Sequence, residues 1–408
     1  MRLRVWTFTT ALGLTSSLYA QVRLTLADSV SEALTGHPQV MTATARIAVA
    51  EGLRHQAGLS PNPRLILQSE NTRLYGSPTF SYSKDADTYT ILAQSIETGG
   101  KRQRRVELAT GIVQRSELER QFQRQQIASR VSTAYWVAAG ATRSRDLLQQ
   151  EVTSFERVVQ FHRLRVQEGA TPEVDLLRIE VERDRLTASA RTAAQEAVRA
   201  RIALFREMGK AEFPTVEFAD APEALQPIAA LTIEEVLERR PEMRISRSAI
   251  EQARANLRLQ QANAKLDPDA QVGYKRTAGF NTIFASIQIP LPVRNKNQGQ
   301  IEAAVAEMKV AESSLAATAA LVRSDLETAV KDHESRQQLL AETLRPMRDR
   351  AEEVFRIADA AYREGGSDIL RLLDAERMKI ETQLAYTRIL FELQQSAVAV
   401  ATAQGNLP

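Results

Sequence analysis

The chain has 408 residues, 53 Lys and Arg against 50 Asp and Glu for a formal net charge of +3, and no cysteine. The missing thiols exclude disulfides, zinc-thiolate sites, cysteine nucleophiles and lipidation of an N-terminal cysteine. Charges of both signs are interleaved and no basic stripe carries aromatics, which excludes nucleic acid as the implied partner.

Met1 to Arg4 form a short basic head, and Val5 to Tyr19 are largely apolar or small. This is the pattern of a secretory signal over residues 1–20, with Ala20 its expected last residue although Leu18 is larger than the small residue preferred there. The alternative, a retained anchor, is disfavoured because the apolar run is about 15 residues where a span needs about 20. No later run is as apolar, so the mature chain is expected to lack a spanning α-helix.

Beyond the signal the sequence repeats. Glu168-Gly169-Ala170-Thr171 with Leu177 and Glu180 returns, 196 positions on, as Glu364-Gly365-Gly366-Ser367 with Leu373 and Glu376. Leu24-Thr25-Leu26 leading to His37-Pro38 matches Leu231-Thr232-Ile233 leading to Arg240-Pro241. Gln94 to Lys101 match Ile289 to Lys296. Three ordered matches predict a duplication, with a first copy over 21–230 and a second over 231–408.

Each copy reads as a helix, two short strands, a very long helix, a tight turn and a second long helix. The strand pairs are expected within 64–97 and 269–290. Tyr89, Ile91, Ala93 and Ser95 alternate with Thr90, Leu92, Gln94 and Ile96, and Ile283, Ala285, Ile287 and Ile289 share one face, the period of a half-buried strand. Helical hairpins follow over 101–210 and 297–404. The segment from Lys101 to Glu168 has no proline, so it can run as one helix of about 100 Å. Its counterpart contains Pro346, which predicts a kink or break. Leu148, Val152, Phe155 and Val159 are spaced 4, 3, 4, and Leu340, Leu344, Met347, Ala351, Val354, Ala358 and Ala361 continue that spacing, as in a coiled-coil seam. Residues 211–230, with Pro214, Pro222 and Pro227, read as the linker between copies.

Four strands cannot close a barrel, and an open sheet leaves edges that lipid does not tolerate. Three protomers would supply twelve strands, within the range of outer-membrane barrels. The chain resembles the TolC-like outer membrane factors over its whole mature length, on the duplicated turn signatures, strand pairs and strand-to-helix junctions. Glu97-Thr98-Gly99-Gly100-Lys101-Arg102 and the run from Pro290 to Gly299 are most similar to the branch serving heavy-metal efflux of the cobalt-zinc-cadmium and copper-silver kind. The resemblance implies a mainly α fold, with helical hairpins forming a periplasmic α-barrel and four strands per protomer entering a twelve-stranded trimeric barrel. It also implies a homotrimer in outer-membrane lipid, working with a periplasmic adaptor and an inner-membrane transporter of the resistance-nodulation-division (RND) type. An equatorial belt would come from the N-terminal residues, the 211–230 linker and the C-terminal tail. Many relatives carry a lipid-modified N-terminal cysteine that this chain lacks.

The turns at Gly169, Gly365 and Gly366 would meet the adaptor, and Gly99, Gly100, Pro290 and Pro292 would form the strand-to-helix junctions. By analogy the first turn after each tip faces the constriction. Asp175 and Arg178 stand there in the first copy and Arg371 and Asp374, with signs reversed, in the second; the expectation is a charge network holding the tip closed. The bland alternative is a solvated helix face. His37, His55, His162 and His333 are scattered singly and read as surface residues, giving no metal site. Tyr75, Phe80 and Tyr82 fall in the loop between the first two strands, as an interface cluster or as loop packing. No cofactor is implied, and the absence of paired acids or a nucleophile-base set sets enzymes aside. The remaining alternatives are a channel for multidrug efflux or type I secretion and, from another class, a periplasmic coiled-coil adaptor, which would have one hairpin rather than two.

Overall fold

The computed structural model describes residues 22–77, 79–223 and 231–406. The signal segment and linker residues 224–230, including Pro227, lie outside the described residues.

The first copy opens with β1 (Val22–Leu24), α1 (Leu26–Gly36) and α2 (Pro38–Ala57). Thr25 caps α1 by accepting from the Asp28 amide, and Pro38 starts α2, where its missing N–H costs nothing. Strand β2 (Arg64–Glu70), the single helical turn α3 (Tyr82–Asp85) and β3 (Asp87–Ser95) lead into α4, which runs unbroken from Lys101 to Gln167, and α5 (Glu173–Glu207) returns beside it. The linker is not wholly irregular: β4 (Val216–Phe218) pairs in parallel with β1.

The second copy repeats this order with α6 (Ile233–Arg239), α7 (Pro241–Asn263), β5 (Asp269–Thr277) and β6 (Phe280–Gln288). Its hairpin comprises α8 (Gln298–Gln338), a π-helical turn (Leu339–Leu344), α9 (Arg345–Arg363) and α10 (Ile369–Ala403). Strand β6 starts at Phe280 because Ala278 (φ 50°) and Gly279 (φ 82°) make a two-residue turn with both residues left-handed.

Pro346 does not end the helix. It lacks an N–H and crowds the carbonyl four residues back, and the π turn immediately before it gives the backbone the room it needs. The inserted residue shifts the seam. Leu340, Leu344 and Ala351 are buried and Ala358 packs inward as expected, but Met347 and Val354, expected in the seam, are each 44% exposed, and Phe355 and Tyr362 pack inward instead.

The two largest apolar cores among the described residues lie along the long helices. In the mid-section Ile127, Val131, Tyr135 and Trp136 of α4 pack with Val30 of α1, Leu204 and Phe205 of α5, and Phe391 of α10. Gly140 lets α4 come close to α10, since a Cβ there would sit 3.0 Å from the Phe391 side chain. Toward the hairpin turns Leu148, Val152, Phe155 and Val159 of α4 join Ile179 and Leu186 of α5 and Leu372, Leu373 and Ile380 of α10, so the two hairpins fuse there.

Candidate functional site

The four long strands form one antiparallel sheet in the order β2-β3-β5-β6, so β2 and β6 each lack a strand neighbour on one side among the described residues. Their register sorts the side chains. Leu65 pairs with Leu92, Leu92 with Val272 and Val272 with Ala285; the neighbouring row runs Leu67, Thr90, Tyr274, Ile283. These rows share one face because alternate residues project to the same side. Leu65, Leu67, Leu92, Val272, Tyr274 and Ile283 are exposed on it. The opposite face carries Arg64, Gln68 and Glu70 of β2 with Gln271 and Lys275 of β5 and Thr282 and Ser286 of β6, on either side of one apolar row formed by Ile66, Ile91, Gly273 and Phe284. A sheet that is mainly apolar on one side and mainly polar on the other, with both edges open, suits lipid outside and water inside once its edges are paired.

The strands pass to the helices through left-handed residues. Gly99 (φ 65°) and Gly100 (φ 71°) precede α4, and a Cβ on Gly99 would lie 2.8 Å from Lys265 Cγ. Lys101 Nζ donates to Asp267 Oδ2 (2.6 Å) and the Lys265 carbonyl (2.7 Å), pinning this junction to the end of α7. Glu97 accepts from Arg105, whose guanidinium holds its carboxyl below the usual range. In the second copy Pro290 and Pro292 follow β6, and Asn297 (φ 61°) takes the capping position, its side chain donating to the Gln260 carbonyl at 2.8 Å.

At the far end α4 and α9 close with the same geometry. Gly169 (φ 72°) and Gly365 (φ 75°) are left-handed, and the next amides, of Ala170 and Gly366, donate to the carbonyls of Arg165 and Ala361, each at 2.8 Å. Only the first glycine of the Gly365-Gly366 pair needs its freedom.

Arg178, Arg371 and Asp374 line one groove of about 640 Å³ between the starts of α5 and α10, with Val174, Leu177 and Leu370. Asp175 reaches Arg178 at 3.7 Å along its own helix. The ion pair that crosses this groove is another one, Arg377 to Glu182 at 2.5 Å. Both residues continue the helix faces of Asp374 and Arg178 by three or four positions, a signal present in the sequence.

The histidines correct the sequence reading. His37 is buried at the α1–α2 joint, where its ring accepts from the Gln39 amide, and His162 is 1% exposed beside the Tyr362 hydroxyl (3.3 Å). Burial, then the nearby Arg165, lowers the pKa of His162. His333 lies part-buried on Ser396, and only His55 fits a surface role. Of the loop aromatics, Phe80 and Tyr82 meet edge to face at 6.4 Å while Tyr75 is exposed. Among the described residues no group of three or more His, Asp or Glu is placed to hold a metal ion, and no helix is long and apolar enough to cross a membrane.

The family model described as outer membrane efflux protein matches residues 15–210 and 232–406, one stretch for each copy of the repeat. The chain belongs to the outer membrane efflux protein family. Members are transport conduits rather than enzymes. The cobalt-zinc-cadmium resistance protein CzcC of Cupriavidus metallidurans is 26% identical over 395 residues, covering 94% of this chain and 90% of CzcC. A membrane protein from Pseudomonas aeruginosa has the same fold, with a TM-score of 0.80 and 19% identity over 95% of this chain and 91% of that one. So has CusC, at TM-score 0.79 and 16% identity over 95% and 93%. An outer membrane efflux protein thus presents here as two hairpins and an open, two-faced sheet.

Proposed function

We propose that the chain is the outer-membrane exit duct of a tripartite efflux system for heavy-metal cations, passive in itself and gated at the hairpin tips. The observation that carries the reading is the open four-stranded sheet, mainly apolar on one face and mainly polar on the other, built onto hairpins of about 100 Å. Three copies would pair β6 of one with β2 of the next into twelve strands, removing every edge. The helices would then continue the pore through the periplasm to an adaptor and an inner-membrane RND transporter, with Gly169, Gly365 and Gly366 at the meeting point. Similarity to CzcC supports metal cations as cargo.

Membrane fractionation, detergent extraction and sizing test the assembly: a trimer in the outer membrane is expected, and a soluble monomer overturns the channel. A deletion strain should become sensitive to cobalt, zinc or cadmium, whereas sensitivity confined to drugs transfers the channel to multidrug efflux. In the gate, Asp175, Arg178, Arg371 and Asp374 act with the Glu182–Arg377 pair to keep the tips together. Neutralising Arg371 and Asp374 together should raise single-channel conductance, and unchanged conductance removes these two residues from the gate.

A further inference from the structure

Glu376 is an acid without the partner its repeat equivalent has. In the first copy Glu180 is bound by Arg163 at 2.7 Å, from α5 back to α4. The residue 196 positions beyond Arg163 is Asp359, itself tied to Arg363 at 2.8 Å, so the second copy sets a carboxylate where the first has a guanidinium. Glu376 is only 8% exposed, and its carboxylate accepts no hydrogen bond among the described residues. Lys379, the cation acting on it, is engaged by Glu151 of α4 at 3.3 Å and lies 4.4 Å over the Phe355 ring of α9.

This acid lines a cavity of about 120 Å³ between α4, α5 and α10, open to the surface on one side. The walls are apolar, from Leu148, Phe155, Leu186 and Leu384, and Ser189 stands at the side. At the rim Glu182 neutralises Arg377 and approaches Arg185 at 3.9 Å, while Glu381 adds a further negative charge. An apolar cavity of about 150 Å³ accepts benzene; this one is smaller but open on one side, so it takes a compact hydrocarbon group without enclosing it fully.

We infer that this cavity is a binding site for a small organic monoamine, its ammonium paired with Glu376 and its apolar body between Leu148, Phe155 and Leu186. A divalent metal ion fits poorly, because Glu182 is already held by Arg377 and the hydrocarbon walls beside Glu376 cannot replace the ion's hydration shell. A monoammonium carries the single charge that Glu376 lacks and gains from burying the rest of the molecule. Since the cavity lies where the two hairpins fuse, an occupant would tie α4, α5 and α10 together.

The test is calorimetric titration of the detergent-extracted assembly at pH 8 with benzylamine, against toluene and benzoate as neutral and anionic analogues. Saturable binding of benzylamine is expected, with both analogues about tenfold weaker or worse. Glu376→Gln should bring benzylamine down to the level of toluene. Ser189→Leu, which keeps the acid and fills the space, should abolish binding of both, so the inference stays testable should the first variant fail to assemble. Equal affinity for benzylamine and toluene, a benzylamine affinity unmoved by Glu376→Gln or by Ser189→Leu, or no saturable heat at all would overturn it.

Discussion

Arg377 on α10 and Glu182 on α5 form a 2.5 Å ion pair that bridges the two hairpins across the groove where Arg178, Arg371 and Asp374 gather. Both side chains remain partly exposed, so the pair adds about 1 kcal/mol or less to stability. Its larger effect is expected on conductance. Glu182→Gln and Arg377→Gln should each raise the open probability in planar bilayers, and the exchange Glu182→Arg with Arg377→Glu should bring it back down. Single variants that gate like the parent would assign the pair to packing alone.

Tyr135 of α4 ties the mid-section to the linker. Its buried hydroxyl donates to Asp220 Oδ2 at 2.5 Å and lies 3.0 Å from the Leu24 carbonyl, while the same Asp220 oxygen accepts from the Leu26 amide at 2.7 Å. Burial, then the hydrogen bond to Asp220, raises the phenol pKa well above its ordinary value, so the hydroxyl stays a donor. Tyr135→Phe leaves the carboxylate one donor short and should cost about 1–3 kcal/mol, read as a lower unfolding midpoint in denaturant. An unchanged midpoint would mean that solvent replaces the hydroxyl.

Two buried groups in the fused tip respond to pH in opposite directions. His162 has a folded pKa below its ordinary value, so the unfolded chain takes up the proton first, and stability falls as pH drops below about 6.5. His162→Gln keeps a polar contact to Tyr362 and does not titrate. Its melting temperature should therefore decline less than the parent's between pH 8 and 5; parallel curves would refute the assignment.

Glu376 behaves the other way. Burial pushes its carboxyl up to about 7, partly offset by Lys379 and reinforced by Glu151 and Asp359. The folded state binds this proton more tightly than the unfolded chain, so stability is lost as pH rises from about 4.5 to about 7. Across the seam it also faces Glu182, Arg185, Arg377 and Glu381, whose charges Glu376→Gln leaves in place. That variant should be more stable than the parent at pH 8 by on the order of 2–3 kcal/mol, the gain disappearing near pH 4.5. A gain that persists at low pH would point to packing instead.

Gly273 lies under the Phe284 ring, with a Cβ placed 2.8 Å from that ring and 2.9 Å from the Thr90 carbonyl. The ring can turn away but the strand backbone cannot. Gly273→Ala should therefore cost about 1–3 kcal/mol and reduce the folded, membrane-inserted fraction measured by protease resistance. Full insertion would show that β3 and β5 can separate without penalty.

Much of the architecture was legible in the sequence because it is local. Two repeats, strand alternation and an uninterrupted α4 follow from periods of 2 and 3.6 residues and from where proline and glycine stand. The left-handed φ at Gly169 and Gly365 needs only the chemistry of a helix end. The two-faced sheet was half visible: Ile283, Ala285 and Ile287 announced an apolar side, but its polar counterpart required the register of β2, β3 and β5.

Relations between distant faces were decided only by the tertiary structure. A seam read at Met347 and Val354 moved to Phe355 and Tyr362 while Ala351 and Ala358 stayed in it, because one residue added in the π turn rotates the following helix part of a turn. His162 reads as a lone polar residue until α4 meets Tyr362 of α9, two hundred positions away. The sequence alone specified that Glu376 repeats Glu180 and that Asp359 replaces Arg163. That the unpaired acid is buried beside an apolar cavity depends on which helices close around it, and such packing is a property of contacts between surfaces rather than of any one segment.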